Sequence, residues 1–134
     1  TLSVRKKLVK KLDTLVSIYI RMRDGESVLS GAKQSLTNGH LFSRQSYSTR
    51  WDITPDGNCH CQTMGENMSH EYDPYPYTRW YIEKFGIEKY DELHRRHKQV
   101  SKLKDADLEL MIVGVQEAIT LLKENEYLRL AGVV

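Results

Sequence analysis

The stretch NGHLFSRQSYSTRWDITPDGNCHCQTMGEN, residues 38–67, decides how this chain of 134 residues is interpreted. It carries His40 directly after a glycine, then Asn58 and Asn67, with a Pro-Asp-Gly turn in between. HLFS (40–43) and STRWD (48–52) are predicted as two short strands. Helical periodicity flanks the stretch on both sides. We therefore expect an irregular polar insertion in a rigid helical frame, which is where catalytic groups are often found.

The first 23 residues predict a basic amphipathic helix that begins after Ser3 as its N-cap and ends at Asp24-Gly25. Its expected apolar face consists of Val4, Leu8, Leu12, Leu15, Tyr19 and Met22. Three more helices are predicted over 77–86, 87–103 and 105–130, and Asp105 is the candidate cap of the last. The expected apolar stripe of that last helix is Leu108, Met111, Ile112, Val115, Ala118, Ile119 and Leu122. The predicted fold is mainly α with a small β insertion, in the α+β class.

Length and composition favour one ordinary globular domain over residues 1–134. Hydrophobic residues make up 40% and charged residues 28% of the chain, which excludes a disordered composition. No apolar run approaches the roughly 20 residues of a membrane span. Only two cysteines occur, Cys59 and Cys61, and their spacing makes a mutual disulfide difficult. A reducing cytoplasm is the expected compartment.

Charge is distributed unevenly along the chain. Residues 1–50 hold ten Lys/Arg against three Asp/Glu, whereas residues 51–134 hold ten against fifteen. The basic first half of the chain indicates a protein surface that faces a polyanion. The alternative is that the uneven charge distribution arose by chance. The candidate phosphate contacts are Arg5, Lys6, Lys7, Lys10, Lys11, Lys33, Arg44 and Arg50.

The residue types in the insertion suit hydrolysis of a phosphodiester. A neutral His40 can act as the base that activates water, and Asn58 can orient it through its backbone or ring. Asn67 offers a carbonyl oxygen to Mg²⁺ or Mn²⁺, and Glu71 follows it by one helical turn. A His, an Asn on the same hairpin and a metal ligand on a following helix form the pattern of the HNH, or ββα-metal, nuclease finger. His60 is a secondary candidate for the metal or the phosphate.

Several ordered phrases resemble the NinG/Rap family of lambdoid phage recombination proteins, which is related to HNH and recombination endonuclease VII-type nucleases. They are IRMRD (20–24), GHLFSR (39–44), TRWD (49–52), NCHCQ (58–62) and TRWYIEKFG (78–86). The resemblance covers most of the chain and implies three parts: a basic helix (1–23), an HNH-like finger (24–72) and C-terminal helices (74–134). It implies a metal-dependent endonuclease that acts on branched or single-stranded DNA, in the host bacterial cytoplasm if the gene is phage-borne. A homodimer is suggested by analogy alone.

The chain departs from that family at its zinc knuckle. Ser27 and Ser30 stand where the first pair of zinc-binding cysteines is expected, and Thr63 and Glu66 stand at the second pair. Hydroxyl groups are poor substitutes for thiolates, so no structural zinc is expected. A second interpretation follows from this loss: a DNA-binding, protein-interaction or regulatory protein that keeps the fold without catalysis. Position 39 is also a glycine where many nucleases of this finger type carry an Asp.

Overall fold

The computed structural model describes residues 2–132. Six helices and two strands occur in the described part of the chain. In chain order they are α1 (Val4–Asp24), β1 (Leu36–His40), α2 (Tyr47–Arg50), β2 (Cys59–Thr63), α3 (Met64–His70), α4 (Tyr75–Phe85), α5 (Ile87–His97) and α6 (Asp105–Leu130). The protein is therefore mainly helical with a small antiparallel sheet, which agrees with the predicted α+β class.

The helices α1 and α6 pack along each other and form the larger of two cores. Arg5 at the start of α1 donates to Asp105 at the start of α6, so both helices begin at the same end of the protein. The core side chains are Leu12, Val16, Ile20, Trp51, Cys59, Cys61, Leu108, Ile112, Val115 and Ile119. A second core joins Leu41 at the end of the hairpin strand to Tyr77, Tyr81 and Leu93 of α4 and α5. No helix within residues 2–132 combines the length and the apolar composition of a membrane span.

Both ends of α1 were predicted correctly, but its buried face was not. Ser3 accepts a hydrogen bond from the Lys6 amide, and Gly25 closes the helix in the left-handed region with φ of 70°. Val4 and Met22, the two ends of the predicted apolar face, are exposed. Val16 and Ile20, which were not part of that face, are buried in the core. The buried residues of α1 are Leu12, Val16 and Ile20, which pack in one core with residues of β2 and α6.

The two strands lie elsewhere than predicted. Strand β1 (Leu36–His40) pairs with β2 (Cys59–Thr63), and His40 lies opposite Cys59. HLFS contributes only His40 to a strand, and STRWD lies largely in the short helix α2. Ser46 and Ser48 donate to the carbonyl groups of His97 and Arg96, so side-chain bonds to the end of α5 hold 46–50 in a helical turn.

The starts and ends of the later helices differ by a few residues from the prediction. α4 begins two residues early, where Pro74 and Pro76 are compatible with a first helical turn, and it closes at Gly86 as predicted. α5 ends at His97 rather than at residue 103. Lys104, not Asp105, occupies the cap position of α6, and its amide donates to the Asp107 carboxylate. The buried stripe of α6 follows the predicted one closely.

Candidate active site

Strands β1 and β2 and helix α3 follow one another as a compact β–β–α unit. Thr63 ends β2 and is also the N-cap of α3, because its hydroxyl accepts from the Glu66 amide while the Glu66 carboxylate accepts from the Thr63 amide. At the other end of α3, a ring nitrogen of His70 lies 2.8 Å from the Leu41 carbonyl oxygen. The bond of His70 connects the end of α3 to Leu41, the residue that follows His40.

His40 is the last residue of β1 and is half-buried. Its Nε2 lies 2.9 Å from the Arg50 carbonyl oxygen. A carbonyl can only accept, so Nε2 carries the hydrogen of the neutral ring and Nδ1 keeps a free lone pair. Nδ1 has no partner among the described residues and is not sealed from solvent. Burial lowers the pKa of His40 from 6.5 to about 4, and the nearby Arg44 charge adds to this, while the Arg50 carbonyl opposes it.

Asn58 is fully buried and closes the loop between the strands. Its Oδ1 accepts from the Phe42 amide at 2.8 Å, and its Nδ2 donates to the Phe42 carbonyl at 3.0 Å. Its own carbonyl accepts from the Leu41 amide. Three hydrogen bonds therefore fix the two residues that follow His40, and Asn58 acts on His40 through the backbone and not through the ring.

Asn67 and Glu71 lie on one flank of α3. The backbone of Glu71 remains in the right-handed helical region, so its side chain follows that of Asn67 by one turn. The opposite flank, at Gly65 and Ser69, lines a cavity shared with α4. Neither the Asn67 nor the Glu71 side chain makes a hydrogen bond within residues 2–132, and both reach solvent. Their oxygen atoms are free to take an external partner.

The structure does not bring His60 to this site. His60 is 2% exposed, and its Nδ1 and Nε2 lie 2.8 Å from the Tyr77 hydroxyl and the Pro55 carbonyl. Both ring nitrogens are thus occupied in an aromatic pocket beside Trp80. Burial lowers the pKa of His60 to about 4. We correct its assignment as a metal ligand: it is a structural histidine of the face opposite to His40.

Arg50 is likewise structural. Its Nε and Nη2 both donate to the Asp13 carboxylate, at 3.0 and 2.6 Å, and its guanidinium lies over the rings of Tyr47 and Trp51. The Trp51 indole donates to the same carboxylate. Only 12% of the Arg50 side chain is exposed, so it is not positioned as a free phosphate contact. Arg5 is also engaged, by the Leu103 carbonyl and Asp105.

The remaining predicted cations are accessible. The Arg44 side chain is 64% exposed and lies 3.6 Å from Asp13, close enough to His40 to influence its protonation. Lys6, Lys7, Lys10 and Lys11 are exposed on α1, and Lys33 is exposed in the loop before β1. No acidic side chain in residues 2–132 lies within salt-bridge distance of these five lysines. They form a surface that is free to meet anions.

The four positions at which the resemblance predicts cysteines, Ser27, Ser30, Thr63 and Glu66, come together in space. The Ser27 hydroxyl donates to the Glu66 carboxylate at 2.6 Å and accepts from the Leu29 and Ser30 amides. The Thr63 amide donates to the same carboxylate oxygen at 2.9 Å. Burial opposes the charge of Glu66, but bonds from Ser27, Thr63 and Ser30 hold the pKa of that carboxyl below its usual value. A carboxylate thus occupies the centre of a hydrogen-bonded knuckle.

The described residues contain no group of three or more His, Cys, Asp or Glu side chains arranged around one point. A divalent cation at this site would therefore draw on amide oxygens, on Glu71 and on its substrate. The chain matches no protein-family model, no curated protein and no solved structure.

Two residues of the site were not predicted from the sequence. Asp13 organises Arg50, Trp51 and Arg44, and its signal was visible as the one acidic residue among the first 23. Tyr77 is 1% exposed, and its hydroxyl oxygen lies 2.9 Å from the carbonyl oxygen of Gly39, the residue just before His40. Nothing in the pattern around Tyr77 distinguishes it from the other seven tyrosines.

Proposed function

We propose that the protein is a DNA endonuclease of the HNH type that depends on a divalent metal ion, and that it acts on branched or single-stranded DNA in recombination, as its resemblance to NinG/Rap implies. One observation carries the proposal. The Arg50 carbonyl holds the hydrogen of His40 on Nε2, which leaves Nδ1 as an unprotonated base at the open end of a β–β–α unit.

In this proposal His40 removes the proton from the water that attacks phosphorus. Its low pKa keeps the ring neutral at physiological pH, so the lone pair of Nδ1 is always available. When the ring takes up a proton, the Asp13 carboxylate stabilises the imidazolium, although Arg44 and Arg50 oppose it. Asn58 holds the backbone that presents the ring.

Mg²⁺ or Mn²⁺ would be held by the Asn67 amide oxygen and the Glu71 carboxylate, which are oxygen ligands of the kind that both ions prefer. The residues fit this role because both side chains are accessible and unpartnered within residues 2–132. When bound, the ion supplies positive charge to the phosphate and to the leaving oxygen.

Arg44 and the lysines of α1 and the adjoining loop supply the sequence-independent part of DNA binding in this proposal. Lys6, Lys10 and Asp13 follow one another along α1 at three- and four-residue steps, and Arg44 lies beside Asp13. Lys6 and Lys10 therefore lead along α1 to the Asp13–Arg44 ion pair, whose charges act on His40. Contacts of this kind bind phosphate and weaken as salt rises.

We further propose that the knuckle needs no structural zinc, because the Glu66 carboxylate and its hydrogen-bond donors fill its centre. Elemental analysis after gel filtration in EDTA tests this. We expect less than about 0.1 zinc per chain and an unchanged unfolding midpoint. Zinc held stoichiometrically after this treatment would contradict the proposal.

The alternative is a DNA-binding or regulatory protein that has lost catalysis. It is favoured by Gly39, which provides no side chain to a metal ion beside His40. Such a protein would bind a four-way junction with the same salt dependence but leave it uncut.

Cleavage distinguishes the two functions. Supercoiled plasmid, single-stranded DNA and a four-way junction are each incubated with the protein in Mg²⁺, Mn²⁺ or EDTA, beside His40→Ala. Cutting that needs the metal and is lost in His40→Ala supports the endonuclease. Tight binding without cutting in any metal supports the alternative. In the double charge-reversal variant, Lys6→Glu with Lys10→Glu, the protein should bind all three substrates more weakly and to a similar degree.

A further inference from the structure

Helix α6 carries apolar side chains on two opposite faces. Its buried stripe packs on α1 and consists of Leu108, Ile112, Val115 and Ile119. Leu110, Val113 and Leu121 lie on the outer face, with exposed fractions of 71%, 50% and 58%. A surface helix normally has a single apolar stripe, and a helix that is apolar all round is normally covered on all sides. The outer face of α6 therefore indicates a contact that one chain alone does not make.

Gly114 lies in the middle of this outer face. It follows Leu110 by four residues and precedes Leu121 by seven, so the three residues share one side of the helix. Glycine in a helix interior is less stable than alanine, and its use there is explained where another group approaches the backbone closely. Within residues 2–132 no such group exists, because nothing beyond its own stretch of helix lies within 4 Å of a Cβ atom built on Gly114. Close approach of a second molecule would explain this glycine.

The charges at the two ends of α6 are complementary about Gly114. Lys104 and Glu124 each lie ten residues from that glycine, in opposite directions, and Asp105 and Lys123 each lie nine residues from it. When two copies of α6 cross antiparallel at Gly114, Lys104 of each chain lies beside Glu124 of the other. Both side chains are exposed, and neither forms an ion pair in the described part of the chain. No like charges face each other between residues 104 and 124 in this register.

We infer that a second copy of this chain covers the outer face of α6, and that the two α6 helices cross antiparallel at Gly114 about a two-fold axis. In this dimer, Leu110 of each chain packs against Gly114 and Ala118 of the other. The antiparallel arrangement also brings opposite ends of the two helix dipoles together. An interface of this kind is isologous, the commonest form in soluble oligomers. It contains no residue of the candidate active site, so failure of the dimer leaves the proposed endonuclease unaffected.

Sedimentation equilibrium of the full chain over a concentration series tests the dimer. We expect the wild type to sediment as two chains and Gly114→Arg as one, because two guanidinium groups would meet at the crossing. Circular dichroism should show that Gly114→Arg is folded, since the space around Gly114 is open within one chain and arginine is a better helix former than glycine. Gln116→Arg is the matched control. It introduces the same side chain at an exposed position about 200° around the helix, and should remain a dimer.

Charge reversal supplies an independent measurement that needs no change at Gly114. Loss of one exposed charge is nearly neutral, but Lys104→Glu places like charges together at both ends of the interface and should raise the dimer dissociation constant at least about tenfold. Lys104→Glu combined with Glu124→Lys restores opposite charges and should recover the wild-type dissociation constant. A wild type that is monomeric at about 100 µM leaves the face to another occupant and overturns the inference. A dimeric Gly114→Arg, or no recovery in the double variant, also overturns it.

Discussion

Asn58 brackets the backbone of Phe42 with two hydrogen bonds: its Oδ1 accepts from the Phe42 amide, and its Nδ2 donates to the Phe42 carbonyl. The bracket closes the loop of residues 41–58 directly after His40. It fixes where the strand ends and therefore where the imidazole stands. In the proposed endonuclease, the Asn58 side chain fixes this geometry and the His40 imidazole is the base.

Removing this bracket should cost both stability and activity. Asn58→Ala leaves the buried amide and carbonyl of Phe42 without partners, so we expect the unfolding free energy to fall by roughly 2–4 kcal/mol. Asn58→Asp keeps the acceptor for the Phe42 amide and loses only the donor to the Phe42 carbonyl. Its loss of unfolding free energy should be smaller than that of Asn58→Ala if the acid takes up a proton, and larger if the acid stays charged. Urea denaturation at pH 7 and pH 5 measures both. A loss below about 0.5 kcal/mol in Asn58→Ala would contradict the role assigned to the bracket.

Glu66 should be the most important side chain of the knuckle. Glu66→Ala removes the acceptor of the Ser27 hydroxyl and the Thr63 amide, and we expect it to destabilise the protein by roughly 2 kcal/mol or more. Because the folded-state pKa of Glu66 lies below its usual value, this stabilisation is complete above about pH 4.5 and is lost as the pH falls through the folded-state pKa. Glu124→Ala, on the exposed side of α6, is the control and should change stability little.

Two histidines with lowered pKa values, His40 and His60, should make the fold sensitive to mild acid. His40 and His60 have folded-state pKa values of about 4, against 6.5 when unfolded. Below pH 6.5 the unfolded chain binds more protons, so stability is constant above that pH and falls between about 6.5 and 4. Each histidine should contribute on the order of 2 kcal/mol of loss by pH 5. The slope of unfolding free energy against pH should flatten in the double variant His40→Gln with His60→Gln, and an unaltered slope would contradict these pKa shifts.

The pH dependence of cleavage should reflect the same shift in His40. A base with a pKa of about 4 is almost entirely neutral at pH 5.5, whereas an unperturbed histidine would be about nine-tenths protonated. We expect kcat/KM to stay within about twofold between pH 7.5 and 5.5 and to fall only below about pH 5. A tenfold fall centred near pH 6.5 would show that another histidine, or a more exposed His40, is the base.

The features that depend on local chemistry were predictable from the sequence. Ser3 and Gly25 mark the ends of α1 by capping rules that need no tertiary information. The order His40, Asn58, Asn67 was visible in the sequence, whereas the hydrogen bond from Ser27 to Glu66 was not predicted.

The features that depend on burial and on distant partners were not predictable. Residues 48–52 carry strand-forming types, but bonds of Ser46 and Ser48 to α5 override that preference. Arg50 and His60 have the chemistry of site residues, yet Asp13 and Tyr77 hold them inside the fold. The close packing of the Gln62 side chain against Gly39 likewise depends on the paired strands and could not be predicted from the sequence.

In the proposed reaction the ring of His40 is the base, and chemical rescue tests this role most directly. A four-way junction is cut in Mn²⁺ by the wild type, by His40→Ala and by His94→Ala, which removes a ring that packs on the same loop at Phe42. We predict that His40→Ala loses at least about 100-fold in rate, that added imidazole restores part of it, and that His94→Ala stays close to the wild type. Cutting by His40→Ala within about threefold of the wild-type rate, with no effect of imidazole, would contradict the account.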